Sequence, residues 1–128
     1  MATYASREEL NAVLDKVVAG LNENEQLKSR IKTSNVSMGL VVSDLEGAEY
    51  VIAFKNGEVT GAPAGAASAT ITITLKQEVL DQLLSGKISG ESAYFSGALR
   101  LRGDEWVAEG MASYIYYMVP LYKAATGE

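Results

Sequence analysis

The 128-residue chain contains no cysteine and no histidine. The first absence excludes disulfides and thiolate sites and leaves the redox compartment open. The second removes the usual neutral-pH acid–base group and a common ligand of transition metals. Zinc hydrolysis and Cys–His or Ser–His catalysis are closed together, and only carboxylate, lysine, tyrosine and serine mechanisms remain; no metal, cofactor or enzymatic activity is expected. Basic residues are also few, 11 against 16 acidic, for a formal net charge of −5. Arg100 and Arg102 form a basic pair on a predicted strand, but two charges make no track for a phosphate backbone. A nucleic-acid partner is not expected. No apolar run approaches a membrane span. The opening MATYASREEL lacks the basic start and apolar stretch of a signal peptide. The expectation is a cytoplasmic protein without a transmembrane segment.

Hydrophobic residues make up 48% of the chain, enough for the core of one domain over residues 1–128. Ser6 with Glu9 predicts a capped helix over about 6–21, because Leu10, Val13, Leu14, Val17, Val18 and Leu21 recur at helical spacing. NENEQLKSRIKTSN then reads as a loop or a short second helix. Sheet and helices follow over about 36–103. Val36, Met38, Leu40 and Val42 alternate with smaller residues, as do Tyr50, Ile52 and Phe54. Asn56-Gly57 predicts a tight hairpin turn with Asn56 at positive φ. The threonine-rich stretch 70–75 is a strand by β-branching on both faces. Lys76–Ser85 is a helix stopped at Gly86, Ser89–Phe95 is a short helix, and Gly97–Gly103 is a last strand. Asp104 caps a helical segment over about 104–124, with a break at Pro120. The order implies an α+β layer structure, its sheet a meander followed by a helical crossover.

Chemistry-bearing clusters are sparse. Asp104, Glu105 and Glu109 put acids on adjacent helical turns, and acids in a first turn are accounted for by capping and the helix dipole. Asp44, Glu46 and Glu49 match no calcium loop and read as a solvated turn. The Gly61–Ser68 loop has no phosphate-binding signature and reads as a connector or a cavity rim. Ser85, Ser89, Ser92 and Ser96 lack a histidine base, and nothing positions Lys87 to replace one. The compositional anomaly is GMASYIYYMVPLY. Tyr114, Tyr116, Tyr117 and Tyr122 lie there among Met111, Ile115 and Met118. A helix apolar nearly all round is a core element, a dimer face, or the wall of an apolar ligand. Tyr94, Phe95 and Trp106 flank the last strand and could line a space between sheet and helices.

Ala69-Thr-Ile-Thr-Ile, Leu83-Leu-Ser-Gly-Lys-Ile and Ala93-Tyr-Phe-Ser-Gly97-Ala-Leu-Arg-Leu-Arg-Gly103-Asp104 together resemble the sterol carrier protein-2 (SCP-2) domain family. Gly86, Lys87, Phe95, Gly97, Leu99, Leu101 and Gly103 sit at the family's pattern positions. The resemblance runs from about Val36 to Met111. It implies a five-stranded, mainly antiparallel sheet covered by helices, with an apolar tunnel for fatty acids, acyl-CoA, sterols or other lipids. It also implies a mostly non-enzymatic role, with helper domains of larger enzymes among the members. The family's wall positions fall here on Phe95, Leu99, Leu101, Trp106, Met111 and Met118. Tyr114 joins them from the tyrosine-rich helix. The ending Ala-Thr-Gly-Glu is not the eukaryotic peroxisomal signal, which points to a small stand-alone prokaryotic member. The tyrosine-rich ending departs from the family pattern and suggests a plug for the tunnel or a homodimer face.

Overall fold

A computed structural model describes residues 4–127. Helix α1 (Arg7–Leu21) is capped by Ser6, whose hydroxyl accepts from the Glu9 amide at 3.3 Å. The polar stretch after it does form a short helix, α2 (Glu25–Arg30), because the Asn24 side chain accepts the Leu27 amide. Strands β1 (Asn35–Val42), β2 (Glu49–Lys55) and β3 (Glu58–Ala62) follow as an antiparallel meander. Asn56 at φ 51° and Gly57 at φ 81° make the turn between β2 and β3. The chain continues through β4 (Ile71–Leu75), α3 (Gln77–Leu84), α4 (Gly90–Phe95), β5 (Leu99–Arg102) and α5 (Glu105–Thr126).

The sheet order is β3-β2-β1-β4-β5. β1 and β4 pair parallel, and every other pair is antiparallel. The helical connection expected after the meander is α3 with α4, which joins the antiparallel neighbours β4 and β5; the parallel β1–β4 pair is a feature the sequence did not reveal. The segment from edge strand β3 back to β4 is a loop with one 3₁₀ turn at Ala66–Ser68, laid across the sheet face away from the helices. Gly39 of β1 makes that approach possible, since a Cβ there would stand 2.5 Å from the Ala66 carbonyl oxygen. The Glu49 carboxylate accepts the Ala66 amide at 2.9 Å, and the Thr72 hydroxyl donates to the Ala66 carbonyl at 2.7 Å. The small-residue loop is therefore a packed crossover, and Glu49 anchors it. Asp44, from the same acidic turn, accepts the Gln77 amide at the start of α3.

Strand alternation sends Tyr50, Ile52, Phe54, Met38, Leu40, Ile71, Ile73 and Leu75 to the helical side, where all are buried. Leu10, Leu14, Val17 and Leu21 of α1 pack over them. α5 lies against α1, and Gly20 receives the side chain of Leu121 at a spacing that a Cβ would fill. The expected break at Pro120 does not occur: α5 runs through it to Thr126. Proline removes one helical N–H, and the carbonyl so released belongs to Tyr116, a residue on the exposed face where water can replace the bond.

α5 spends most of its tyrosines inside the fold. The Tyr114 ring meets Phe54 at a centroid distance of 4.4 Å. The Tyr117 hydroxyl accepts from Arg30 at 3.2 Å. The Tyr122 hydroxyl donates to Asp81 Oδ1 at 2.8 Å and lies 2.6 Å from the Tyr4 hydroxyl, tying the start of the chain to α3 and α5. Among these residues only Tyr116 is left facing solvent. The dimer face suggested by composition is not supported: of the four tyrosines singled out, Tyr122 is buried and Tyr114 and Tyr117 are half-buried against the fold.

Candidate functional site

The sheet is left partly uncovered where α4 and α5 diverge beyond β5. α4 is only six residues long, capped by Ser89 and seated by the buried Ala93. Gly97 at φ 80° turns the chain back into β5, and Asp104 then starts α5, its carboxylate accepting the Trp106 amide at 2.7 Å. A cavity of about 250 Å³ lies between these two helices and the sheet. Its floor is Met38, Ile71, Ile73, Leu83 and Leu99, all buried. Leu101, Ala108, Ile115 and Tyr94 form half-buried walls. The mouth carries Phe95, Ala112 and three carboxylates, those of Glu91, Glu105 and Glu109.

The floor is apolar for the reason that the strands are: it continues the inward stripe of β1, β4 and β5. The opening comes from α5. That helix presents two neighbouring stripes. Met111, Tyr114, Met118 and Tyr122 recur at three and four and pack into the core. Glu105, Ala108, Glu109, Ala112 and Ile115 form the adjoining stripe and face the cavity. Small side chains on the second stripe leave the volume that large ones fill on the first.

Of the residues singled out from the sequence, Phe95, Leu99 and Leu101 are brought together in the lining. Met111, Tyr114, Met118 and Trp106 are not in it. Met111 and Met118 are buried in the core, and Tyr114 stacks on Phe54. Trp106 points outward and is 82% exposed, one residue beyond Glu105 at the mouth. The sequence reading overlooked Ala108, Ala112 and Ile115. Their four- and three-residue spacing on an otherwise bulky helix is the signal that would have found them.

Tyr94 and Glu105 link the two helices at the mouth, the hydroxyl donating to the carboxylate at 2.6 Å. That hydrogen bond, with the nearby negative charge, pushes the Tyr94 phenol above its ordinary value. The rings of Tyr94 and Phe95 lie 5.5 Å apart. Among the described lining residues the titratable side chains are Tyr94 and the carboxylates of Glu91, Glu105 and Glu109, all towards the mouth, and the floor is apolar. Among the described residues no three His, Cys, Asp or Glu side chains gather to hold a metal ion, and no helix is long and apolar enough to cross a membrane. The arrangement can shelter an apolar chain.

Comparison with known proteins agrees on the fold. The SCP-2 sterol transfer family matches residues 10–115. No curated protein sequence matches the chain. Among solved structures, the sterol carrier protein domain 2 of Helicoverpa armigera superposes with a TM-score of 0.68 at 16% identity, covering 94% of this chain and 95% of that one. Palmitated SCP2L2 from Aedes aegypti gives 0.54 at 19% identity, covering 74% of this chain and 92% of its own. The stereoselective inverting sec-alkylsulfatase Pisa1 from Pseudomonas sp. gives 0.58 at 21% identity over 67% of this chain. The chain spans only 14% of the length of that sulfatase.

Proposed function

The chain belongs to the SCP-2 sterol transfer family, whose general business is binding or transferring lipid, and on that premise we propose that it is a non-catalytic carrier holding the hydrocarbon tail of a lipid between α4, α5 and the sheet. One observation carries the reading: an apolar cavity of about 250 Å³, open at one side, on the inward face of β1, β4 and β5. Each methylene moved from water into such a space contributes about 0.8 kcal/mol. Affinity therefore rises with chain length until the cavity is full. The palmitated state of the Aedes aegypti neighbour supports a single straight hydrocarbon tail in such a fold and says nothing of the headgroup taken here. Phe95, Leu99 and Leu101 remain the proposed ligand contacts from the sequence, joined by Ile73, Ala112 and Ile115.

A second reading is favoured by the fold's place in a much longer alkylsulfatase. The domain would then present or shield an alkyl chain for a catalytic partner. Both readings need the same cavity.

The test is a chain-length series of straight-chain alcohols titrated into delipidated protein, compared with Ala112→Phe. Ala112 sits at the mouth, and a phenyl ring there takes up space that a tail needs. Wild type should bind more tightly with each added methylene, and the variant should lose binding while melting at the same temperature or higher. Binding unaffected by Ala112→Phe in a folded protein would place the ligand elsewhere and end the proposal.

A further inference from the structure

We propose that the cavity selects lipids by headgroup charge, taking a single-chain amphiphile whose polar end is an amine or quaternary ammonium cation and turning away carboxylates and phosphates. The inference rests on the tail-binding reading above and adds the class of ligand.

The mouth has a composition that a plain lipid pocket does not need. Glu91 comes from α4, and Glu105 and Glu109 come from α5, so three carboxylates line one opening from two elements. No lysine or arginine lines it among the described residues. Lys87, the basic residue nearest Glu91 in sequence, is not among the lining residues, and the two arginines of β5 are directed to the other face of the sheet. Arg100 pairs opposite Thr74 on the outer face of the sheet. Arg102 donates to the Thr72 hydroxyl and the Ala69 carbonyl on that same face. Helix dipoles account for Glu91 and Glu105 in their first turns. They do not account for Glu109, which lies a turn further along and still faces the opening.

The second feature is aromatic. Tyr94 and Phe95 line the same mouth with rings 5.5 Å apart, and Phe95 is 78% exposed although it is large and apolar. An aromatic face next to a carboxylate is the chemistry that holds alkylammonium groups, through the ring quadrupole and direct charge attraction. The Tyr94 hydroxyl donates to Glu105 and so fixes both groups at one edge. A tail inserted against Leu99 and Ile73 leaves its headgroup level with these residues. A cation is attracted there by three negative charges, an anion is repelled by the same three, and an uncharged hydroxyl feels neither.

The experiment uses three probes with one twelve-carbon tail, each below its micellar concentration: dodecyltrimethylammonium, dodecanol and dodecanoate. Each is titrated calorimetrically into the intact delipidated protein at low salt and at 0.5 M salt. For three partly exposed charges, the ammonium should bind about tenfold or more tighter than the carboxylate, with the alcohol between them. The gap should narrow at high salt. A variant carrying Glu91→Gln, Glu105→Gln and Glu109→Gln should keep the alcohol affinity, which also reports that it folds, and should lose most of the gap. Equal or reversed affinities, with the alcohol bound, would overturn the headgroup inference and leave the tail reading standing. A gap that survives in the triple variant would overturn it too, by tracing the preference to the overall charge. Failure of all three probes to bind would instead end the tail reading and this inference with it.

Discussion

Replacing Tyr122 by phenylalanine probes what holds α5 in place. Both residues fill the same buried volume, so only the hydroxyl is lost. That hydroxyl donates to Asp81 at 2.8 Å and lies 2.6 Å from the hydroxyl of Tyr4. Asp81 is 0% exposed, and its Oδ2 has no partner among the described residues. Two hydrogen bonds at about 1 kcal/mol each are lost, and a buried carboxyl is left with no side-chain donor, costing about 1–3 kcal/mol more. The expected loss is about 3–5 kcal/mol, a shift of roughly 1.5–2.5 M in urea midpoint for a domain this small. A double variant, Tyr122→Phe with Asp81→Leu, removes both polar partners and should recover part of the loss. Urea unfolding followed by far-UV circular dichroism gives both numbers. A single variant within about 0.5 kcal/mol of wild type, or a double variant worse than the single, would refute the reasoning, since neither fits a buried carboxyl that depends on this hydroxyl.

Stability should also fall at alkaline pH. Burial, then the acceptor Asp15, pushes the Tyr50 phenol up, and burial with Tyr4 and Asp81 does the same for Tyr122. The unfolded chain releases these protons near pH ~10 and the folded chain does so later, so stability is full below that pH and declines above it. Urea midpoints constant from pH 8 to pH 11 would contradict this, and Tyr50→Phe should make the decline shallower. Gly39→Val should cost about 2 kcal/mol or more, because a Cβ there meets the Ala66 carbonyl at 2.5 Å and backbone must move. An unchanged melting temperature for that variant would mean that the crossover is not held against β1.

The elements easiest to read were those with one unmixed signal. Asn56-Gly57 announces its turn, the alternation in β1 and β2 announces a one-sided sheet, and Ser6 announces α1. The parallel pairing of β1 with β4 was hidden because the crossover contains no helix to reveal it. Its evidence lies in Gly39, a small residue whose partner is 27 positions away at Ala66. Pro120 misled because solvent satisfies a carbonyl that a buried helix could not leave open. The cavity was half legible. Leu99 and Leu101 follow from strand alternation, and Phe95 from the family pattern. Hydrophobic size pointed to Met111, Tyr114 and Met118, yet large side chains fill space, and the opening follows the small residues Ala108 and Ala112. Trp106 was read as apolar lining, but the first turn of α5 turns it outward.

The central claim is that a lipid tail lies between α4, α5 and the sheet, and intermolecular NOEs test it most directly. Protein labelled at the methyl groups of isoleucine, leucine and methionine would be mixed with unlabelled dodecanol. The account predicts contacts from the tail to Ile71, Ile73, Leu83, Leu99, Leu101 and Ile115, and none to Met111 or Met118. Contacts to Met111 and Met118 without those to Leu99 and Ile73, or no contacts from a bound tail to any of these methyls, would contradict it.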